Sequence, residues 1–229
     1  MVLAFLMMLA QPSSAAQPAN AEASAILAKA IGAAGGAEAL ARARVFEWRG
    51  RATVHAGDRQ IRLEGRWIIE PPDNATVETW DVERGLTSTR RLIVKGHEGL
   101  MERDGKRMPM PAEMLANERD QFYLYSVLKL VPLLDRDVTL TVAEASGAKG
   151  LTVTRPGRAN VTIFFNDAGR PTRLRTMVFD PASKQRIEEE LQFEGDVESA
   201  GVRWPRRIRI LQSARLFFEL EITEFSVTQ

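Results

Sequence analysis

Few side chains in this chain are equipped for covalent chemistry. There is no cysteine, which removes thiolate nucleophiles, thiolate zinc sites, iron–sulfur clusters and disulfides. The two histidines, His55 and His97, sit beside turn glycines. They are too few for a three-histidine centre and lack a helical H-x-x-x-H partner, so no metal is expected. The sequence has no G-x-S-x-G elbow, Gly-rich phosphate loop or zinc motif. Neighbouring carboxylates such as Glu188 and Glu190 exist, but among 30 Asp and Glu they carry no specificity. A hydrolase working through two carboxylates is therefore the weakest functional class. It would gain ground if two acids with opposed pKa shifts met in one cleft. The expectation is a protein that is not an enzyme, with no catalytic residue and no cofactor.

The charges that remain point to binding. Net charge is +1 over 229 residues, which gives no bulk grip on nucleic acid. Arg203, Arg206, Arg207 and Arg209 form the densest basic run, beside Trp204. Strand alternation sends half of them to each face, so a solvated strand face accounts for the run. Three charges, Arg90, Glu189 and Arg206, fall by parity on otherwise apolar strand faces. Burying an unpaired charge is costly, so they should pair with each other or hold a lipid headgroup or carbonyl, unless a β-bulge, a register slip or a rim position accounts for them.

The elements that would position these groups are mostly strands. Glu22 to Ala34 has helical apolar spacing and is stopped by Gly35-Gly36. From Val45 the period becomes two: Phe46, Trp48, Ala52 and Val54 share one face, and Leu63, Trp67 and Ile69 share another. Asp104-Gly105 marks a hairpin. Pro111 opens a helical region, in which the apolar stripe of Gln121 to Val131 is a candidate lid bearing Tyr125 and Leu128. Strands then run to the end of the chain. About eleven antiparallel strands at ~4.8 Å spacing make a sheet roughly 50 Å wide. A helix covers only about 10 Å. The sheet must therefore curl around its helices, leaving either an apolar concavity or a packed core. Its inward residues, Phe46, Trp48, Leu63, Trp67, Ile69, Ile163, Phe165, Phe218 and Leu220, are the candidate ligand-binding face, and equally what plain core would show. Residues 1–21 are uncharged and begin with a short apolar run. They read as a signal peptide cleaved after Ala16 or Ala21, leaving 22–229 as one exported domain.

Three short stretches, Gly35-Gly36-Ala37-Glu38-Ala39-Leu40, Asp167-Ala168-Gly169-Arg170-Pro171 and Gly201-Val202-Arg203-Trp204-Pro205, together with this order of elements, resemble the outer-membrane lipoprotein carrier (LolA/LolB-like) superfamily. The resemblance implies an α+β, mainly β fold: a half-barrel with an N-terminal helix and a central helical lid. It implies a periplasmic, monomeric carrier of lipid or lipoprotein acyl chains. The alternative is an envelope sensor on the same fold, with a membrane protein as partner. No catalytic position is carried over.

Overall fold

The computed structural model describes residues 17–180 and 183–229. Most of the expected signal peptide lies outside them. The first helix, α1, runs Gln17–Ala33, five residues earlier than the sequence pattern suggests. A short α2 (Ala37–Arg42) follows.

Two antiparallel meanders make up the sheet. The first comprises β1 (Val45–Ala56), β2 (Arg59–Glu70), β3 (Asn74–Asp81), β4 (Arg90–Lys95), β5 (Glu98–Arg103) and β6 (Lys106–Pro109). The second comprises β7 (Thr139–Ala145), β8 (Ala148–Thr154), β9 (Val161–Phe165), β10 (Pro171–Asp180), β11 (Gln185–Ser199), β12 (Val202–Gln212) and β13 (Arg215–Thr228). They join where β1 pairs with β13, giving one open sheet of 13 strands with β6 and β7 as its edges. The count exceeds the expected eleven because the short hairpin at Asp104-Gly105 contributes two full members. Between β3 and β4, Gly85–Ser88 winds into a 3-10 turn.

The curl has a local cause. Gly50 of β1 faces Gly65 of β2. A Cβ on Gly50 would lie 2.5 Å from the Glu221 carbonyl oxygen, and one on Gly65 2.6 Å from that of Glu78. The β1–β13 register also shifts between Arg49 and Gly50. Bare backbone at both positions lets neighbouring strands close in and bend.

The connection from edge β6 to edge β7 carries α3 (Ala112–Leu128), one continuous helix. It is ended by Leu130 at φ 67 and a 3-10 turn over Val131–Leu134. Its Phe122, Tyr123, Leu124, Val127 and Leu128 are buried inside the concavity. α1 packs along β7 and β8. Among the described residues no helix is long and apolar enough to cross a membrane.

Candidate functional site

Cross-strand register sorts the concave face into rows. Over the β1–β13 seam lies an aromatic block. Trp204 of β12 stands 4.8 Å from Phe46, 6.2 Å from Trp48, 6.2 Å from Tyr125 and 6.3 Å from Phe225, centroid to centroid. Trp48 and Tyr125 are 5.3 Å apart, edge to face. The two expected lid residues thus lie inside the bowl, with Leu128 buried and Tyr125 locked into the aromatic block. Of the expected lining residues, Phe46, Trp48, Trp67, Ile69, Ile163, Phe165 and Leu220 are buried, and Leu63 and Phe218 pack half-buried against them. Around the seam the space is filled by side chains. Trp204, at the centre, stands in the sequence as a neighbour of arginines; its even parity with Ile208 is the signal that places it inward.

Open volume lies further along the first meander. One row runs Trp67–Val77–Leu92–Met101–Met108 across β2 to β6. Val77, Leu92, Met101 and Met108, with Met114 of α3, wall a cavity of about 440 Å³. That size lies within the roughly 300–1,000 Å³ typical of small-molecule sites. A smaller space of about 140 Å³, walled by Val54, Ile61 and Leu63, shares Thr79 and Arg90 with it. Sequence parity puts Val77 and Leu92 on the inner face. What it does not reveal is that open volume remains between them and Met114 of α3.

The three expected inward charges separate. Glu189 is buried at 1% exposure. Its carboxylate accepts hydrogen bonds from Gln121 Nε2 at 2.6 Å and Gln212 Nε2 at 2.9 Å. Burial still pushes its pKa up against those bonds. Arg90 is on the inner face as expected, but exposed, because it is the first residue of β4 and stands at the open end. Arg206 is a correction. Gly195 (φ 62) drops out of the β11–β12 ladder between the pairs Glu194–Arg207 and Asp196–Pro205, and Arg206 opposite it turns to solvent. There its Nε reaches the Asp196 carbonyl at 3.4 Å. The rest of the basic run is paired outside: Arg203 with Glu198 at 3.1 Å, Arg207 with Glu221 at 3.6 Å and Arg209 with Glu219 at 3.2 Å. His55 meets Glu219 at 3.0 Å.

A second acid joins Glu189. Glu118 of α3 is pushed up to about 7, first by burial and then by the charge of Glu189. Both acids shift the same way. A proton-donating and an ionised carboxylate with opposed shifts, the signature of acid–base hydrolysis, is not what this pair presents. It makes the stability of the fold depend on pH instead. An acid whose folded pKa is raised binds more protons folded than unfolded, so stability falls as pH climbs from about 4.5 through 7 and then levels. Glu118 keeps some solvent contact, which reduces the full linkage value. Glu118→Gln is expected to match the parent near pH 4 and to exceed its unfolding free energy by roughly 1–2 kcal/mol at pH 8. Urea titrations at the two pH values check this; a gap independent of pH refutes it.

No family model matches the chain, and no curated protein matches it in sequence. Solved structures match its fold. A LolA superfamily protein from Nitrosomonas europaea superposes with a TM-score of 0.55 at 13% identity, over 90% of this chain and 93% of that one. A DUF1329 family protein from Desulfovibrio piger gives 0.57 at 7% identity, over 90% and 92%. A putative outer membrane lipoprotein-sorting protein domain from Vibrio parahaemolyticus gives 0.54 at 7% identity, over 83% and 89%. An open antiparallel sheet wrapped around helices, matched over nearly the whole length of each, makes the fold a LolA-like half-barrel.

Proposed function

We propose that this protein is a non-enzymatic periplasmic carrier that binds the acyl chain of a lipid or lipoprotein in the open end of its concave face. The observation that carries this reading is the cavity of about 440 Å³ walled by Val77, Leu92, Met101, Met108 and Met114. Burying an acyl chain there yields about 0.8 kcal/mol per CH₂, offset by the cost of ordering ligand and wall. Unbranched, polarisable methionines reshape readily around chains of different form. Binding by apolar burial alone is also compatible with release, since no covalent or metal bond holds the cargo. The half-barrel structures named a lipoprotein-sorting domain and a LolA superfamily protein support the same role. The N-terminal apolar segment supports export.

Native mass spectrometry of the protein purified from the periplasm, followed by lipid extraction, tests the proposal. An acyl species bound near one-to-one is expected. Leu92→Glu, which puts a charge in the half-buried wall, is expected to cut uptake of an offered palmitoyl lysolipid at least tenfold, while Leu92→Met retains it. A clean apo mass with no uptake of lysolipid or lipopeptide refutes the carrier reading.

A further inference from the structure

Two adjacent rows of the first meander carry opposite charge patterns. On the outer face the row is Glu78–Arg91–Glu102–Arg107. Its signs alternate and its members are joined: Arg91 Nε donates to Glu78 at 2.9 Å, Arg91 Nη1 lies 3.7 Å from Glu102, and Arg107 Nε donates to Glu102 at 2.9 Å. One residue along, on the inner face, the row is Thr79–Arg90–Arg103–Lys106. It holds three cations directly opposite one another and no acid. Like charges in facing positions destabilise a sheet, and the neighbouring row shows that this sheet pairs its charges where nothing else is at stake. Among the described residues Arg90 and Lys106 have no ion-pair partner. Arg103 has only its own neighbour Asp104, at 3.6 Å with both side chains more than half exposed, a contact of little worth in water. The one acid bordering the cavity, Glu102, is already held by Arg91 and Arg107.

This cationic row lies beside the apolar one. Arg90 and Arg103 line the same cavity as Leu92, Met101 and Met108. We infer that the open end of the half-barrel is built for an anionic amphiphile, with its acyl chain against the Leu92–Met101–Met108 row and its negative headgroup held by Arg90, Arg103 and Lys106. The chemistry fits: guanidinium forks bind phosphate or carboxylate oxygens in pairs, and neutralising three facing cations relieves a repulsion present in the empty protein. The inference rests on the acyl-binding reading above and adds the charge of the headgroup.

Isothermal titration of the full chain tests it with three probes: 1-palmitoyl-lysophosphatidylglycerol, 1-palmitoyl-lysophosphatidylcholine and glycerol 3-phosphate. The anionic lysolipid is expected to bind at least tenfold tighter than the zwitterionic one. That preference should weaken between 50 and 300 mM NaCl. Arg90→Gln/Arg103→Gln should erase most of it. Arg107→Gln, in the outer row, should preserve it. Equal affinity for the two lysolipids, or a preference that survives the double substitution, overturns the headgroup assignment alone. Glycerol 3-phosphate binding as tightly as the anionic lysolipid marks a free-phosphate site and overturns it too. Failure of both lysolipids to bind overturns the acyl reading and this inference with it.

Discussion

Trp204→Ala is expected to lower the unfolding free energy by about 3–5 kcal/mol, the range for deleting a large buried aromatic. Set against a typical total of about 5–15 kcal/mol, that is from about a fifth to nearly all of the stability. Trp204 is 1% exposed and touches Phe46, Trp48, Tyr125 and Phe225 at once. These come from β1, α3 and β13, so the cavity left behind cannot collapse by moving one element. Its indole N–H has no acceptor among the described residues, so the contribution is packing, not a hydrogen bond. Trp204→Phe should therefore recover most of the loss. Urea denaturation of the three proteins checks this. A Phe variant as unstable as the Ala variant refutes the packing account.

Gly35→Ala is expected to be the most damaging addition of a single carbon in the N-terminal region. Gly35 has φ 120, and a Cβ there would sit 1.9 Å from the Gly201 carbonyl oxygen. That atom is backbone and cannot rotate away. Next to it, Arg203 N–H donates to the Ala34 carbonyl at 2.9 Å, tying the turn after α1 to the start of β12. Gly36 provides the control. It too has a positive φ, 92, but a Cβ there meets nothing within 4 Å. Both variants carry backbone strain; only Gly35→Ala must also push two chains apart, an overpacking cost of about 1–3 kcal/mol. Gly35→Ala should thus be the less stable of the two by that margin in urea or thermal melts. Equal losses would show that the close approach is unimportant.

This contact also explains something legible in the sequence. The Gly35-Gly36 stretch and the Gly201–Pro205 stretch carried the fold resemblance as unconnected strings, and in space they abut. Alternation was likewise a sound guide to the bowl: Phe46, Trp48, Trp67, Ile163 and Leu220 all face inward because period two fixes the side of a strand. Parity failed at Arg206, where Gly195 leaves the ladder, since a local break cannot be read from alternation. It failed differently for the site. Side is a one-strand property, whereas open volume depends on where α3 lies, and α3 is positioned by contacts far away in sequence. Hence Phe46 and Trp48, the most prominent inward aromatics, became filled core, while Leu92, Met101 and Met108 in short strands border the cavity. The charge rows were hidden for a related reason. Arg90, Arg103 and Lys106 look scattered until the β3–β6 register lines them up.

The β1–β13 seam bears on how such a molecule comes into being. Each meander consists of hairpins between consecutive strands, so either half can begin to assemble by itself. The seam cannot. Val45 pairs with Thr228, so its closure carries the heaviest loop-closure cost of any pairing in the sheet. Until it closes, β1 is an open sheet edge. The aromatic block of Phe46, Trp48 and Trp204 spans that same junction, which sets a large apolar reward at the pairing most distant in sequence.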